Sequence, residues 1–383
     1  MNDAEDTTEG STDAPGGSDE PDRAAVAGMV EACAGWTLRS YDRAAEGTDF
    51  VAVVDCTTPD GSRTAVLKAT TAGFVDPEIA RAEPRLYRLV GRETAIPVPD
   101  VYGFVDDHDA YPTPFYLLEY VDGENVEGRA GTLDPASRER VVREAGANLA
   151  ALHEIGTLPR IGSIGVDTDG ADAGRARRAT DDPLGGDLVV RDGDHGPVDD
   201  FREWLRPSVE ETCDALAGGT YFPELADKPD RFADLAEPLR DELHARIDAL
   251  SAPEPPRLCH WDYRYGNLLV DPDTGETLAV LDWANLLAAE PAYNLAKVES
   301  HLFELRAETD ERTVALREIF RTAYERGRDG WTFTDDVAAR IDTYLLSCRT
   351  EAMACLPLWH EDATTEEKAE REREHRAFVG AYL

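Results

Sequence analysis

One stretch, Leu258–Ala296 (LCHWDYRYGNLLVDPDTGETLAVLDWANLLAAEPAYNLA), leaves this chain few ways to fold. Apolar residues from Val270 to Leu281 flank the turn signal Asp273-Thr274-Gly275, and that pattern predicts a β-hairpin. Another short apolar run precedes His260. A hairpin at this place returns Asp282 to the side of Asn267, and Asp262 lies in the loop just before it. Two carboxylates and an amide are therefore expected to meet around one short loop.

That trio suits phosphoryl transfer. Moving a γ-phosphoryl group leaves a protein little covalent work, so catalysis rests on position and on neutralising charge. Asp262 is expected to orient an acceptor hydroxyl and take its proton. Asn267 and Asp282 supply hard oxygen donors of the kind Mg²⁺ prefers, with phosphate oxygens and water completing its shell. His260 is expected to hold the loop's shape rather than exchange protons. Arg264 has two open readings, neutralising the transferred phosphate or anchoring the loop to a carboxylate.

Composition narrows the class further. The 383 residues carry 78 Asp plus Glu against 39 Lys plus Arg, a formal net charge of -39. Such a surface opposes nucleic acid and anionic membranes, which are negative too. Lys occupies only Lys68, Lys228, Lys297 and Lys368. An acid-rich, Lys-poor chain fits a salt-loaded cytoplasm, where ions screen self-repulsion, so a halophilic host is expected. The six Cys form no C-x-x-C pair and read as free thiols in a reducing, cytoplasmic setting. No apolar run is long enough for a membrane helix, and the N-terminal stretch lacks the basic and apolar regions of a secretory signal.

Along the chain, residues 1–22 are acidic, polar and Gly-rich, and disorder is expected there. Residues 23–121 read as an N-terminal lobe. It has a helix from Ala24 to Ala34 and strands at Trp36–Tyr41, Phe50–Cys56, Ala65–Ala69, Val101–Val105 and Phe115–Tyr120. A helix from Pro77 to Val90 carries Glu83. Residues 122–383 read as a mostly helical C-terminal lobe. Its helices are expected at Pro135–Ile155, Val198–Leu216, Glu237–Leu250, Ala292–Arg306, Glu311–Arg326, Thr334–Leu356 and Thr364–Tyr382. Residues from about 161 to 200, rich in Gly and Asp, read as a long loop. Trp204, Trp283 and Trp359 are expected in the core rather than as substrate platforms, and His153 as a packed helix-end residue. The fold class expected is α+β, with a small antiparallel sheet and a helical lobe.

Lys68 falls inside an apolar strand, a rigid mount from which an ammonium can meet nucleotide phosphates, with Glu83 as its ion-pair partner. Glu119 and Tyr120 end the last strand of the small lobe, where backbone groups can meet an adenine edge. Only Gly47 marks the loop from about Ala44 to Phe50 that would cover the phosphates.

With these residues in view, the chain resembles the aminoglycoside phosphotransferase, or phosphotransferase enzyme, family. The match rests on Lys68, Glu83, Phe115–Tyr120, Leu149–His153, the Asp262 loop and Leu281-Asp282-Trp283. The resemblance implies a bilobal protein-kinase-like fold, ATP and Mg²⁺ as cofactors, Asp262 as base, Asn267 and Asp282 at the metal, and Lys68 with Glu83 at the phosphates. Two places depart from the family pattern. Trp261 stands where a Gly is usual, and Ala289-Glu290-Pro291 precedes Asn294-Leu295-Ala296 where Gly-Asp-Pro and Asp-Leu-Ala are usual. These later residues are expected to brace the loops rather than touch metal.

A protein kinase is disfavoured, because only Trp283 to Glu290 separate Asp282 from Pro291, too few for a segment that displays a peptide. The acceptor expected is a hydroxylated small molecule, with the 162–200 loop and the helices around Tyr344–Trp359 as candidate walls. The alternative is a nucleotide-binding pseudokinase or regulatory module. The sparse glycine loop and Asn294 favour it, while retention of every residue expected at nucleotide and metal argues against it.

Overall fold

The computed structural model describes residues 21–44, 49–71, 76–167, 183–191, 198–284, 286–303 and 310–383. The acidic segment up to residue 20, Gly47 and much of the 161–200 stretch lie outside the described residues. The chain divides into two compact units. The smaller runs to Phe74 and resumes over Gly103–Leu117; the larger comprises Val75–Tyr102 and Leu118–Leu383.

In the smaller unit, helix α1 (Arg23–Ala34) is capped by the Asp22 carboxylate, which accepts from Ala25 N–H at 2.8 Å. Strands β1 (Thr37–Arg43), β2 (Phe50–Thr58) and β3 (Gly61–Ala69) form an antiparallel meander. Gly61, at φ 133°, turns β2 into β3. Inward residues alternate along β2 as Phe50, Ala52, Val54 and Cys56, all buried. On β3 the buried set is Ala65, Leu67 and Ala69, so Lys68 lies on the opposite face of the sheet, paired in register with Val51.

Helix α2 (Pro77–Glu93) follows, its first turn capped by Asp76 and opened by Pro77. Strands β4 (Val101–Val105) and β5 (Phe115–Glu119) complete a five-stranded sheet in the order β1-β2-β3-β5-β4.

The larger unit is mainly helical. Helix α3 (Pro135–His153) buries Val141, Val142, Ala145, Leu149 and Leu152, the stripe that its 3.6-residue spacing requires. The expected 161–200 loop is corrected here, since it contains strands β6 (Gly162–Val166) and β7 (Leu188–Val190). Five residues with two glycines, and then three residues, are too short to show a period of two. Helices α4 (Phe201–Gly218) and α5 (Ala236–Ala249) lead to β8 (Arg257–His260), β9 (Leu268–Asp271), β10 (Glu276–Val280) and β11 (Leu286–Ala289). Strands β7, β6, β11 and β8 form a sheet in that order, and β9 with β10 forms the expected hairpin. The unit ends with α6 (Pro291–Leu302), α7 (Glu311–Gly327), α8 (Asp335–Ala354), the single turn α9 (Leu356–Trp359) and α10 (Thr365–Val379). No helix among the described residues is long and apolar enough to cross a membrane. All six cysteines are free, with Cys56, Cys213, Cys259 and Cys348 buried.

Candidate active site

The site is built on one register. Strand β8 pairs with β11, His260 opposite Leu286, so the chain leaves the sheet at His260. Strand β9 begins just after Asn267 and pairs antiparallel with β10, Val280 opposite Leu268. One step further, Leu281 N–H donates to the Asn267 carbonyl at 2.8 Å. Asp282 therefore follows directly on the residue tied to Asn267, as the hairpin reading requires.

The turn is set by its own residues. The Asp271 carboxylate accepts from the N–H groups of Asp273 (2.9 Å) and Thr274 (3.1 Å). Gly275 has φ 70°, and a Cβ there would stand 2.1 Å from the Ser137 carbonyl oxygen, so no larger residue fits.

Within the loop, Asp262 is gripped from two sides. Arg264 Nε donates to both carboxylate oxygens at 3.1 and 3.0 Å. Asn267 Nδ2 donates to the Asp262 backbone oxygen at 2.8 Å and to its Oδ2 at 2.9 Å. Because both bonds leave from the amide nitrogen, Asn267 Oδ1 is the atom left to a cation. Burial works to raise the Asp262 pKa, but neighbouring positive charge, that of the Arg264 guanidinium first, and the Arg264 hydrogen bond outweigh it and hold the carboxyl below its usual range.

Arg264 also reaches Glu127 Oε2 at 3.3 Å. Of its two readings, the structure shows the anchoring arrangement. Gly266 makes room for it, since a Cβ there would fall 2.2 Å from an Arg264 terminal nitrogen.

His260 is buried, and its Nε2–H donates to the Leu281 carbonyl at 3.0 Å, tying the start of the loop to the end of the hairpin. Burial depresses its pKa, so the ring is neutral. The charges of both Asp262 and Asp282 bear on this ring and on Arg264.

Asp282 itself has φ 58°, the left-handed region in which Asp and Asn are the most tolerated larger residues. Its N–H donates to the Tyr87 hydroxyl at 3.1 Å. Tyr87 lies one turn beyond the buried Glu83 on α2. Burial, followed by the charge of Glu83, pushes the Tyr87 phenol well above its usual value. Tyr87 was not anticipated from sequence, although its i+4 spacing from Glu83 was available as a signal.

The braces differ from the family pattern in a way the geometry explains. Asn294 Nδ2 donates to the His260 carbonyl at 2.8 Å, a bond that an Asp could not make. Its Oδ1 lies 3.1 Å from His153 Nε2, and His153 Nδ1 lies 2.7 Å from the Tyr324 hydroxyl, which accepts from Arg328. Burial, helped by the charge of Arg328, pushes the His153 pKa down to about 3, so a neutral amide is the fitting neighbour.

Glu290 is fully buried and paired with Arg340 at 2.9 Å and with the Tyr344 hydroxyl. Trp261 lies against Tyr293 (ring centres 5.4 Å apart) and Trp204 (6.0 Å). Replacing Asn294 with Ala would remove the amide's bonds to the His260 carbonyl and to His153 Nε2, leaving the latter only a long contact to Cys259 Sγ at 3.8 Å. We expect about 1–3 kcal/mol of lost stability per group in chemical denaturation; an unchanged midpoint would contradict this bracing role.

The remaining expected site residues are placed as follows. Lys68 stands in the smaller unit; Glu83, Glu119 and Tyr120 stand in the larger. Glu119 N–H donates to the Asp100 carbonyl at 2.8 Å, so that amide is already taken within the ladder. Tyr120 is exposed. Gly47 is outside the described residues. No group of three or more His, Cys, Asp or Glu among the described residues is arranged to hold a metal ion. A site made of one amide and one carboxylate, completed by phosphates and water, is a different donor set, and Asn267 with Asp282 fits it.

Trp283 is buried as expected, but Trp359 is not. It is 51% exposed and stands in the wall of a cavity beside Asp262, which corrects its assignment to the core. The cavity's walls are α6, α8, α9 and α10, and no described residue of the 162–200 stretch lines it. Two of its residues, Lys297 and His301, also escaped the sequence reading. Their spacing from Asn294, three and seven positions along one face of α6, was the available signal.

Comparison with known proteins agrees with the fold. A candidate aminoglycoside phosphotransferase from Ralstonia eutropha superposes with a TM-score of 0.56, at 18% identity over 94% of this chain and 98% of that one. Choline kinase from Cryptosporidium parvum superposes at 0.54, with 11% identity and 89% of each chain covered. Both likenesses establish a kinase-like α+β fold. Among curated proteins, Arabidopsis thaliana "Probable acyl-CoA dehydrogenase IBR3" is 23% identical over 203 residues, 52% of this chain. The chain spans 20% of that relative's length. The sequence model of the phosphotransferase enzyme family matches residues 42–335, and the chain belongs to that family.

Proposed function

We propose that this chain is an ATP- and Mg²⁺-dependent phosphotransferase that moves the γ-phosphate to a hydroxyl of a small molecule. The observation that carries the reading is the Asp262–Arg264–Asn267 network, joined by the hairpin register to Asp282. Asp262, ionised and fixed by two donors, takes the hydroxyl proton as the acceptor oxygen bonds to the γ-phosphorus and the bond to the ADP oxygen breaks. Asn267 Oδ1 and the Asp282 carboxylate would hold Mg²⁺, which when bound neutralises phosphate charge. His260 and Asn294 keep the loop in place. We assign Lys68, Glu83 and Gly47 to the nucleotide phosphates, and Glu119 and Tyr120 to the adenine edge, on the family resemblance.

ADP release from MgATP across a panel of hydroxylated metabolites and aminoglycosides tests the reading. Acceptor-dependent release supports it. MgATP that binds, raising the melting temperature, but is never turned over would leave a nucleotide-binding pseudokinase.

The same assay belongs in high salt. With a net charge of -39 the chain repels itself, and raising ionic strength from physiological to about 1 M shortens the screening length from about 8 Å to about 3 Å. Thermal stability is expected to rise steadily with KCl; a flat or falling curve would remove the halophilic assignment. A reducing cytoplasm is supported by the six free thiols.

A further inference from the structure

A cavity of about 120 Å³ lies in the larger unit, walled by α6, α8, α9 and α10. It begins one side chain away from Asp262. His301, in its wall, has Nδ1 3.9 Å from Asp262 Oδ1, and that nitrogen is buried without a hydrogen-bond partner. Burial and the neighbouring Lys297 push the His301 pKa down to about 3, so the ring is neutral. The Lys297 ammonium, also in the wall, stands 4.7 Å from the centre of the Trp261 ring, the residue before Asp262.

The charge of this wall runs against that of the chain. Its described lining holds Lys297, Arg349 and Arg371 against a single carboxylate, Glu374, in a protein whose acids outnumber its bases 78 to 39. Two of the cations are paired: Lys297 with Glu351 at 2.6 Å and Arg371 with Glu374 at 3.0 Å. Arg349 is different. Its guanidinium meets His375 Nδ1 at 3.4 Å and the face of Phe378 at 4.5 Å, and among the described residues no carboxylate forms an ion pair with it. Burial lowers its pKa to about 10, and the charge of Glu374, which is already paired with Arg371, only partly offsets this.

Building on the phosphotransferase reading, we propose that the acceptor is a hydroxylated small molecule bearing a negative charge. Its carboxylate or phosphate group pairs with Arg349, and its hydroxyl reaches Asp262 past His301. Exposed Trp359 offers an apolar face for the body between them. An amino alcohol or an aminoglycoside would bring positive charge against Arg349 and Lys297, at a cost in binding.

The test compares kcat/KM, by ADP release at one fixed high salt concentration, for four acceptor groups. These are hydroxy acids of increasing chain length, hydroxylated phosphate esters, the matching uncharged alcohols, and amino alcohols with aminoglycosides. The anions are expected to lead, and the better of the first two groups identifies the anionic moiety. Arg349→Gln should reduce the preference for the anion over its uncharged analogue by about tenfold or more, with Arg349→Lys restoring part of it. Preference for the cationic acceptors, or an unchanged ratio in both variants, overturns the anion pocket while leaving the phosphotransferase intact. If no compound is phosphorylated, it is the transfer reading that falls. Calorimetry with the hydroxy acids and phosphate esters then decides the pocket: binding lost in Arg349→Gln upholds it, and no binding overturns it.

Discussion

Replacing Asp262 with Asn should lower kcat by about 10²–10⁴-fold, the usual contribution of a positioned general base, with little change in the KM for MgATP. Asn has the shape of Asp and keeps one acceptor for Arg264 or Asn267, so the loop should hold. The lost property is the charge that receives the acceptor proton. Steady-state kinetics beside a thermal melt separates these effects, and near-normal turnover by a folded variant would end the assignment.

The wild-type pH profile carries a linked expectation. The Asp262 pKa is lowered, so its ionised form is present above that pKa and is lost as pH falls through it. With His301 neutral, the charge that keeps Asp262 ionised is chiefly that of Arg264. Activity should therefore persist to pH values below the usual carboxylate range. An acidic limb near neutrality would point to another base.

Asp282→Asn is expected to cost about 10²–10³-fold in kcat and to shift the Mg²⁺ titration to higher concentration. That loss corresponds to about 3–4 kcal/mol of charge stabilisation at transferring phosphate. Asn is the informative replacement because Asp282 sits at φ 58°. Asn tolerates that left-handed backbone, whereas Ala would add about 1–2 kcal/mol of strain and blur the reading. The N–H to Tyr87 is retained in either case, so the effect isolates the carboxylate. Titrating ADP release against Mg²⁺ checks it; an unchanged midpoint and rate would exclude Asp282 from the metal.

Why some of this was legible in sequence is seen in particular residues. The Asp262 loop and the β9–β10 hairpin are short-range structures. A turn signal, alternating apolar residues and a Gly at positive φ set the register, and the register alone brings Asp282 back to Asn267. Helix α3 was likewise written in its apolar stripe, and α10 in its Thr364–Glu367 capping box. Strands β6, β7 and β11 were missed because three to five residues, buried by neighbours distant in sequence, carry too little pattern to stand out.

The departures from the family pattern took on meaning only through packing. Trp261 fits because Tyr293 and Trp204 accept its ring, and Asn294 because a backbone carbonyl and a neutral His need an amide between them.

The proposed reaction chemistry was thus readable from neighbours in the chain, whose relative positions a turn of a few residues dictates. The proposed acceptor pocket was not. Its wall draws on helices running from Lys297 to Glu374, and its positive charge is hidden in an overwhelmingly acidic composition. Only folding sorts those charges in space, because a side chain's electrostatic role depends on which partners the tertiary packing brings to it and which it withholds.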